Sequence, residues 1–507
     1  MPDQRPKTRL ICPLTASDVP GMCRAADAAL AAGADTIEIR LDYLTEPLDD
    51  AQLAGLIGHA AAETIVTCRP TSQGGRYDGD ESARLSLLRR AAELGADWID
   101  VELTTPPADR PKGATILSHH DFDRCPGDLD RLADELAASE AAVAKLAFAA
   151  DGPEDALRAL DVLRSCDKPA IALAMGEAGL PSRILAAKLA AFGTFAALDR
   201  AAGSAPGQPT LDEALNLYRW RELTPRTTVF GVIGCPVAHS MSPAVHNAAF
   251  AAAGLDAVYL PLLVQPGEDN FRRFIDALLE RPWLGWRGLS VTIPHKENAL
   301  ATVGPGRCDE LAVTIGAVNT VTIDPDGSLR GDNTDYAAAI DALCEAMGIT
   351  RDGLAGRAVA VLGAGGAARA LVAALAHYYA DVTIYNRTVS RADRLGEEFS
   401  CAAAGRDALP GLDAEIVINC TSIGMHPNVD ATPLERIPPM VRVVFDTIYN
   451  PVDTLLLRRA RQAGCTCVTG VDMFVNQAIA QFEVWTDTAA PRDVMRNVVL
   501  DKLNARK

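Results

Sequence analysis

The sequence predicts an α/β protein in which a (β/α)8 barrel is followed by a two-domain segment ending in a Rossmann-type fold. Three observations lead to this fold class. Short apolar runs alternate with longer alanine-rich segments through the first 225 residues, a pattern typical of parallel α/β architecture. A second α/β pattern begins at Val229. A glycine-rich turn, Val361–Ala368, then separates an apolar run from a helical pattern, as in dinucleotide-binding folds.

The composition is that of a globular protein with an acidic surface. The chain has 507 residues and a formal net charge of −18. Nucleic acids and anionic membranes bind clustered Lys and Arg, so this charge argues against both and favours small-molecule partners. Twelve cysteines without paired C-x-x-C spacing indicate reduced thiols. The sequence shows no signal peptide, no membrane span and no metal site, and we expect a cytoplasmic protein.

Eight strand-like runs fall within the barrel region. Helical patterns lie between most of them, and a last helical pattern covers Leu211–Arg221. Eight strand–helix units in about 220 residues fit a (β/α)8 barrel, with an open doubly wound sheet as the alternative. The predicted strands are Arg9–Leu14, Thr36–Leu41, Thr64–Cys68, Trp98–Leu103, Ala114–Ser118, Val143–Phe148, Ala170–Ala174 and Thr194–Leu198.

Changes of pattern divide the chain into four parts. A break near Arg219–Arg226 ends the barrel, which we place at residues 1–224. The apolar run Val229–Gly234 then opens an α/β substrate domain. We place this domain at residues 225–334, the Rossmann domain at 335–470, and helices that pack back on the substrate domain at 471–507.

Polar side chains gather at the carboxyl ends of the predicted barrel strands. Residues at these ends line the active-site face of such a barrel. One charged strand end is usually solvated, but six of the eight strands carry one, which indicates a polar site on one face. The side chains are Glu38, Arg40, Asp42, Arg69, Asp100, Glu102, His119, His120 and Lys145, followed after the last two strands by Arg183, Ser204 and Gln208.

Lys145 is the candidate nucleophile of this face. Alternation within Ala141–Phe148 directs its side chain into the barrel. Burial disfavours the charged form of an amine, and a neutral amine can attack a ketone to form an imine. His120 ends the neighbouring strand and can move protons at the adjacent carbon, with Asp100 or Glu102 available to orient it. A lysine paired only with a barrel carboxylate is the alternative.

The motifs of this region resemble type I 3-dehydroquinate dehydratase, over about residues 8–222. They are Glu38-Ile-Arg-Leu-Asp42, Ser118-His-His-Asp-Phe122, Lys145, Met175-Gly with Ser182-Arg183, and Ser204-Ala-Pro-Gly-Gln208. The resemblance implies that Lys145 forms the imine and that His120 is the acid/base. Gln73 stands where many members have glutamate, and an amide cannot accept a proton. The implied substrate ligands are Glu38, Arg40, Arg69, Arg183, Ser204 and Gln208.

Four polar clusters interrupt apolar strands in the next domain. Reduction of a ketone needs a proton donor at the oxygen, and Lys296 can serve if Asp335 holds it; a surface salt bridge is the alternative. Ser240 and Ser242 can bind a carboxylate, although Ser242 can also simply cap a helix. The clusters are His239–Pro243, Ser290–Lys296, Gly316–Asn319 and Gly331–Asp335.

The glycine-rich turn predicts a dinucleotide site. Gly363 allows a tight turn, Gly365 lets the backbone approach a pyrophosphate, and the following helix offers N–H groups to phosphate. The next strand, Asp381–Tyr385, is followed by a guanidinium and short polar groups, which suit a 2′-phosphate and favour NADP over NAD. An ordinary βαβ turn with a surface arginine is the alternative. The expected ligands are Gly363, Ala364, Gly365, Gly366, Ala367, Asn386, Arg387 and Thr388.

From about Val229 to Ala480 the chain resembles shikimate dehydrogenase. The four clusters and the stretches Asn419–Met425 and Asp446–Pro451 carry the resemblance. It implies a catalytic dyad of Lys296 and Asp335 with NADP as cofactor. It also implies substrate contacts by Ser240, Ser242, Thr292, Asn319, Tyr449 and Gln477, and nicotinamide contacts by Thr421 and Met425.

Together, the two resemblances imply a fused dehydroquinate dehydratase–shikimate dehydrogenase of the kind known from plants. Such a chain converts 3-dehydroquinate to 3-dehydroshikimate and water, and then reduces the product to shikimate with NADPH. Three other interpretations stay open. The second half can be an NAD-preferring quinate or quinate/shikimate dehydrogenase, the barrel can be a Schiff-base aldolase, or the chain can be a ligand-sensing regulator without catalysis.

Overall fold

The computed structural model describes residues 7–505 and divides them into two compact units. The first unit runs to Ser240 and also contains Asp256–Trp286. The second contains Met241–Leu255 and the chain from Arg287 onward. No helix within residues 7–505 has both the length and the apolar character needed to cross a membrane.

Eight parallel strands of the first unit form the predicted barrel. They are β1 (Arg9–Leu14), β2 (Thr36–Arg40), β3 (Glu63–Thr67), β4 (Trp98–Glu102), β5 (Thr115–Asp121), β6 (Val143–Ala149), β7 (Ala170–Met175) and β8 (Gly193–Phe195). Their order is β7-β6-β5-β4-β3-β2-β1-β8. Phe192 N donates to Ala170 O (2.8 Å), which joins the starts of β8 and β7. This ring confirms the barrel and excludes the open doubly wound sheet.

The barrel interior changes from apolar to polar along the strands. Ile116 and Val143 are paired in register and belong to an apolar cluster inside the barrel. Two residues further along the same strands, Ser118 is paired with Lys145. Because residues two apart on a strand share a face, Lys145 lies directly above this apolar floor, on the side of the strand carboxyl ends.

Helices cover most of the barrel crossovers. Pro107–Asp109 forms only a 3₁₀ turn between β4 and β5. The predicted helix Leu211–Arg221 is wrong as an α-helix, because Tyr218 N donates to Glu213 O in a π-type turn and Arg219, at φ +50°, ends it. The α-helices are α1 (Val19–Ala31), α2 (Asp50–His59), α3 (Glu81–Glu93), α4 (Leu129–Ala138), α5 (Pro153–Ser165) and α6 (Leu180–Leu185).

The next part of the chain contributes elements to both units. In the first unit, β9 and β10 are parallel, and in the second, β11, β12 and β13 are antiparallel. The elements are β9 (Thr228–Gly234), α7 (Ser242–Ala252), β10 (Ala257–Leu263), α8 (Glu268–Leu279), β11 (Trp286–Val291), α9 (Lys296–Val303), α10 (Glu310–Ile315), β12 (Thr320–Ile323), β13 (Leu329–Asp332) and α11 (Thr334–Met347).

A six-stranded parallel sheet completes the second unit and confirms the Rossmann-type prediction. Its elements are β14 (Ala358–Leu362), α12 (Gly366–His377), β15 (Asp381–Asn386), α13 (Val389–Phe399), β16 (Ala402–Gly405), β17 (Ile416–Asn419), β18 (Val443–Asp446), α14 (Leu455–Gln462), β19 (Thr466–Thr469), α15 (Gly470–Thr486) and α16 (Arg492–Asn504). The order is β16-β15-β14-β17-β18-β19. The chain therefore reverses direction across the sheet between β14 and β17, which is where such sheets bind their ligands.

Helices end the described chain, as the sequence predicts. Thr469 and Asp472 form a reciprocal capping box at the start of α15. Within the second unit, α15 packs against α11, and α16 packs against α7 and α15. Lys507, the last residue of the predicted tail, lies outside the described residues.

Candidate active sites

The polar strand ends of the barrel surround a cavity that is partly open to solvent. We call it the barrel cavity. The sequence reasoning missed Phe122, Met175 and Phe195 among its lining residues, because apolar residues at strand ends carry no distinctive signal. His119 is not among the lining side chains, in agreement with alternation along β5. The predicted residues that line the cavity are Glu38, Arg40, Arg69, His120, Lys145, Arg183, Ser204 and Gln208.

Lys145 is buried within this cavity and paired with carboxylates. It is 5% exposed, its Nζ lies 2.7 Å from Asp100 Oδ2 and 3.7 Å from Glu38 Oε1, and it sits 4.5 Å from the centroid of the Phe195 ring. The amine is thus removed from water but balanced by two carboxylates that hold it at a fixed position.

Asp100 connects Lys145 to a second cation. The guanidinium of Arg69 lies 2.8 Å from Asp100 Oδ1, and Ser118 Oγ donates to the same oxygen (2.6 Å). Burial alone would raise the pKa of Asp100, but Arg69 and Lys145 hold it well below the usual range of a carboxyl group. Asp100 is therefore an anion throughout the neutral pH range.

The carboxylate of Glu102 pairs with two arginines rather than with the imidazole of His120. Its two oxygens lie 2.6 Å from Arg69 NH1 and 2.7 Å from Arg84 NH1. The expectation that Asp100 or Glu102 orients His120 is wrong, because both carboxylates are engaged by cations. The side chain that contacts the imidazole is that of Gln73, whose Oε1 lies 3.3 Å from Nδ1 of His120.

His120 stands in a positively charged part of the cavity. Burial is the largest cause that lowers its pKa, and Arg69 and Lys145 lower it further. Asp100 opposes them, but the pKa stays well below the ordinary value. The imidazole is consequently neutral at physiological pH and able to accept a proton.

Arg183 differs from the other cations of the cavity. It is 1% exposed, its Nε has no hydrogen-bond partner, and NH2 reaches only Pro206 O at 3.5 Å. Burial lowers the pKa of Arg183 to about 10. Among the described residues, Arg183 has no carboxylate partner, whereas Arg40 is paired with Asp42, Arg69 with Asp100 and Glu102, and Lys145 with Asp100.

The last two predicted ligands of the cavity support each other. Gln208 Oε1 accepts a hydrogen bond from Ser204 N (2.8 Å), and Gln208 Nε2 donates to Ser204 Oγ (3.2 Å). These bonds hold the loop after β8 in a closed form and direct polar groups toward the cavity.

The second unit brings Lys296 and Asp335 together. Lys296 begins α9 and Asp335 lies in the first turn of α11, and Lys296 Nζ donates to Asp335 Oδ2 at 2.5 Å. The two side chains are 32% and 22% exposed. Asn333 fixes the start of α11 by accepting a hydrogen bond from Asp335 N (3.2 Å). The pair thus sits on helix starts, within reach of solvent.

A buried network of hydrogen bonds is built around the side-chain amides of Asn319 and Gln481. Asn319 is 3% exposed, and its Oδ1 accepts from Thr334 N and Thr320 Oγ1, each at 2.8 Å. Gln481, which the sequence reasoning missed, donates to Thr320 Oγ1 (3.0 Å). The predicted Gln477 is half-buried and lies one turn earlier on the same face of α15.

The other four residues predicted to contact substrate during reduction differ in their exposure and in the element that carries them. Ser242 is the first residue of α7, and Met241 occupies the N-cap position, where the alternative interpretation places Ser242. Ser240 belongs to the first unit. Thr292 follows β11 directly and is half-buried. Tyr449 is 43% exposed beyond β18, with its ring 5.9 Å from that of Phe474.

The glycine-rich turn has the backbone that a dinucleotide requires. Gly363 has φ +116°, and a Cβ there would lie 3.1 Å from Cys420 O. Gly365 occupies the N-cap position of α12, no side chain caps that helix, and a Cβ at Gly365 would meet nothing within 4 Å. The first N–H groups of α12 are therefore open to a phosphate. Ala364, Gly366 and Ala367 complete this accessible turn.

The neighbouring strand ends add polar and apolar groups at the same edge of the sheet. Asn386 Nδ2 donates to Thr388 O (2.9 Å), while Arg387 is exposed with no hydrogen bond or ion pair within residues 7–505. Beyond β17, Thr421 Oγ1 donates to Asn419 Oδ1 (2.7 Å), and Met425 is 46% exposed. Within residues 7–505, no group of three or more His, Cys, Asp or Glu is placed to hold a metal ion.

Comparison with protein families gives four matches along the chain. Type I 3-dehydroquinase matches residues 10–225. The shikimate dehydrogenase substrate binding domain matches residues 232–321, shikimate/quinate 5-dehydrogenase matches 346–452, and the shikimate 5′-dehydrogenase C-terminal domain matches 470–500.

Individual relatives show the same division. The chain is 40% identical to the bifunctional 3-dehydroquinate dehydratase/shikimate dehydrogenase, chloroplastic, of Arabidopsis thaliana, covering 96% of this chain and 83% of the relative. It is 43% identical to the shikimate dehydrogenase (NADP⁺) of Methanosarcina acetivorans, over 55% of this chain and 99% of that protein. A crystal structure of shikimate dehydrogenase in complex with NADP⁺ matches with a TM-score of 0.50 and 37% identity, over 55% of this chain and 97% of that one.

Proposed function

The chain belongs to the family of bifunctional 3-dehydroquinate dehydratase/shikimate dehydrogenases, and we propose that Lys145 and Lys296 are the catalytic lysines of its two reactions. The first reaction dehydrates 3-dehydroquinate to 3-dehydroshikimate. The second reduces 3-dehydroshikimate to shikimate with NADPH. The two lysines lie in different units, and each has a partner suited to proton handling.

The barrel cavity supports an imine mechanism for the dehydration. Lys145 transfers a proton to a neighbouring base, and the free amine attacks the ring ketone, releasing water as the imine forms. Neutral His120 then removes a proton from the adjacent carbon, and the imine accepts the electron pair. The tertiary hydroxyl leaves as water with the proton returned by the imidazolium. Hydrolysis of the imine releases 3-dehydroshikimate and restores Lys145.

The unpaired Arg183 is the observation that carries this assignment. A buried cation without a counter-ion is unfavourable, so the cavity is complete only when an anion from solution enters it. The substrate carboxylate supplies such an anion, and a planar guanidinium can bind it with two hydrogen bonds. Glu38 and Arg40 line the same cavity and are the proposed contacts to the ring hydroxyls, with Arg69, Ser204 and Gln208 as further proposed substrate contacts.

The second unit supports proton delivery by Lys296. When bound, NADPH supplies a hydride to the carbonyl carbon. Lys296 donates a proton at the carbonyl oxygen, and Asp335, 2.5 Å away, keeps the ammonium oriented. Since the pair is partly exposed, Lys296 can take a replacement proton from water. Ser240, Ser242, Thr292, Asn319, Tyr449 and Gln477 are the proposed substrate contacts in this reaction.

The residues of the dinucleotide turn fit NADP. The residues proposed to hold its phosphates are Gly363, Ala364, Gly365, Gly366 and Ala367, with Asn386, Arg387 and Thr388 at the 2′-phosphate and Thr421 and Met425 at the nicotinamide. Charge-assisted hydrogen bonds contribute about 1.5–3 kcal/mol. We therefore expect Arg387→Gln to raise the KM for NADPH roughly 10- to 100-fold and to leave that for NADH nearly unchanged. An equal change for both cofactors would contradict this role of Arg387.

Borohydride trapping tests the dehydration mechanism directly. Reduction of the chain mixed with 3-dehydroquinate converts the imine to a stable amine, and peptide mapping by mass spectrometry then identifies the modified residue. We expect the label on Lys145 alone. A label on another lysine, or no label while dehydration proceeds, would refute the assignment. Product analysis in the same mixture separates dehydration from the carbon–carbon cleavage of an aldolase.

The remaining assignments concern the organisation of the chain. We assign dehydration to residues 1–224, and reduction to 225–334 and 335–470 with the helices of 471–507. All twelve cysteines are free thiols, which supports our proposal that the chain works in the reducing cytoplasm. Its proposed partners are small molecules, with nucleic acids and membranes disfavoured by the net charge of −18.

A further inference from the structure

Gln73 is a loop residue whose side chain is buried against the imidazole. It is only 7% exposed, although its neighbours Thr71 and Ser72 are exposed. A buried amide must find hydrogen-bond partners to offset its lost hydration. Its Oε1 accepts a hydrogen bond from His120 N (3.1 Å) and lies 3.3 Å from His120 Nδ1.

The loop that carries Gln73 has a closed backbone. Thr71 N donates to Tyr77 O (2.9 Å), and Tyr77 N donates to Arg69 O (3.0 Å). Gly74 has φ +73°, and a Cβ at this position would lie 2.1 Å from the Phe122 ring. A side chain at position 74 would be strained and would displace Phe122. Gln73 N and Gly75 N both donate to Pro70 O (3.0 Å each), and these bonds hold the backbone that directs the amide at His120.

The two contacts of Oε1 determine which ring nitrogen carries the proton. A backbone N–H can only donate, so the Gln73 atom that contacts His120 N must be the amide oxygen and not the amide nitrogen. The same oxygen faces Nδ1 and can only accept there as well. In the neutral ring, Nδ1 therefore carries the hydrogen, and Nε2 carries the free electron pair.

We infer that Gln73 is a positioning residue for the dehydration: it holds His120 in the Nδ1–H form, so that Nε2 is the atom that takes the substrate proton. This inference rests on the proposed function of the barrel cavity. Gln73 itself neither gains nor loses a proton. Its amide dipole fixes the tautomer without adding a negative charge beside the ring.

The absence of charge at position 73 matters because the surroundings of His120 are already charged. Burial, Arg69 and Lys145 hold the pKa of His120 well below its ordinary value, with Asp100 opposing. A carboxylate in place of the amide would stabilise the imidazolium and raise that pKa. The charged groups around the ring, from all the elements that surround it, are Glu38, Arg40, Arg69, Asp100, Glu102, Lys145 and Arg183.

Two substitutions of Gln73 test the inference through the pH profile of dehydration. In Gln73→Glu, an anion stands within hydrogen-bond distance of Nδ1, so we expect the acidic limb of kcat/KM for 3-dehydroquinate to move up by roughly 1–3 pH units. In Gln73→Leu, the acceptor is lost, and we expect kcat to fall about tenfold or more with KM little changed. The exposed neighbour Ser72 provides the matched control, since Ser72→Ala should keep the parent profile.

Two further measurements separate positioning from folding. Borohydride trapping at Lys145 should persist in Gln73→Leu, because imine formation does not use the proton on the adjacent carbon. Nitrogen-15 NMR of histidine-labelled protein, with the His120 signals assigned from His120→Asn, should show Nδ1 protonated and Nε2 unprotonated in the parent chain.

The possible outcomes are distinct. Protonation at Nε2 in the parent chain, or a Gln73→Glu profile that superimposes on the parent one, would overturn the inference about Gln73 while leaving the dehydration assignment intact. A parent chain that neither dehydrates 3-dehydroquinate nor becomes labelled at Lys145 would overturn the proposed function itself.

Discussion

The two candidate lysines of this chain are held in opposite ways. Lys145 is 5% exposed and lies among alternating buried charges, with Asp100 at 2.7 Å and Glu38 at 3.7 Å. The side chain of Lys296 is 32% exposed, and Asp335, at 2.5 Å, is the carboxylate paired with it. One amine is enclosed in a network, and the other belongs to an isolated pair near solvent.

The difference follows from what each amine must do. A nucleophile must give up its proton to a base and meet carbon without competing water, so an enclosed cavity with bases close to the amine suits it. A proton donor must be recharged after every turnover, so it needs a route to solvent. On the proposed roles, the extent of burial of each lysine separates the covalent from the acid–base function, and substitution can test that separation.

Replacement of the buried lysine should have the largest effect. Lys145→Met removes the amine proposed to form the imine, and we expect dehydration to fall by roughly 10⁴-fold or more, the scale seen when a covalent nucleophile is lost. Reduction of 3-dehydroshikimate by the same chain should be unchanged, because Lys296 and Asp335 lie in the other unit. Both activities can be measured on one preparation.

Lys188 is the matched control for this substitution. It is also buried in the barrel, at 3% exposure, but it donates to Pro225 O (2.8 Å) and Thr227 O (2.6 Å) and does not line the barrel cavity. Lys188→Met should therefore cost about 1–3 kcal/mol of stability and keep dehydration. Substantial dehydration by Lys145→Met would remove the distinction between the two buried lysines.

Replacement of the accessible lysine should have a smaller effect. Lys296→Met removes the proton donor, and we expect kcat for reduction to fall about 10²- to 10⁴-fold, the usual contribution of a general acid. The loss is bounded because water can reach the carbonyl oxygen and replace the donor in part. The exposed Glu297 on the same helix supplies a control, Glu297→Gln. If Lys296→Met reduced activity as much as Lys145→Met does, solvent access would not explain the contrast.

Two arginines of the barrel cavity sharpen the comparison further. Arg183→Met should raise the KM for 3-dehydroquinate roughly 10- to 100-fold, since a charge-assisted contact is lost. The same change should keep or raise the melting temperature, because it removes a buried cation that has no carboxylate partner. Arg69→Met should instead destabilise the chain by about 3–5 kcal/mol, because Asp100 and Glu102 each lose one of their two cations and Asp100 keeps only Lys145, Glu102 only Arg84. Equal destabilisation by the two variants would show that Arg183 has a structural partner.

The sequence predicts the strands and the site better than it predicts the partners within the site. Alternation and apolar runs place the ends of the barrel strands within three residues of their positions, and strand ends point to the cavity. Which carboxylate pairs with which cation depends on the register between neighbouring strands and on the conformation of the loops. Sequence spacing does not encode these features.

Two regions illustrate what sequence patterns leave out. Asp100 and Glu102 share one face of their predicted strand and are expected from the sequence to orient the imidazole, yet they bind Lys145 and Arg69. The side chain that contacts His120 is Gln73, from the loop after β3. In Leu211–Arg221, the apolar pattern indicates a helix, but the backbone widens into a π-type turn that ends at Arg219. Both outcomes arise from tertiary contacts, which override local preference.

The smallest expected effect concerns acid pH and extends the comparison to one histidine in each unit, the half-buried His120 and the fully buried His246. Burial, Arg69 and Lys145 keep the pKa of His120 well below 6.5. Burial lowers the pKa of His246 to about 3, opposed by a hydrogen bond with Gln481, and its ring lies 5.6 Å from that of Trp485. Both rings are neutral in the folded chain under conditions where an unfolded chain would protonate them.

The sign of the pH effect follows from proton uptake. Below pH 6.5 the unfolded state binds protons that the folded state does not, so folding stability falls as pH falls, by about 1.4 kcal/mol per pH unit for each ring. Asp100, with its lowered pKa, adds to the loss only below about pH 4, so the range from pH 6 to 4.5 isolates the histidines. We expect His120→Asn and His246→Asn each to reduce the slope of unfolding free energy against pH, measured by urea titration. The difference between variant and parent cancels the carboxyl groups common to both, and an unchanged slope in either variant would show that its imidazole takes up a proton in the folded chain.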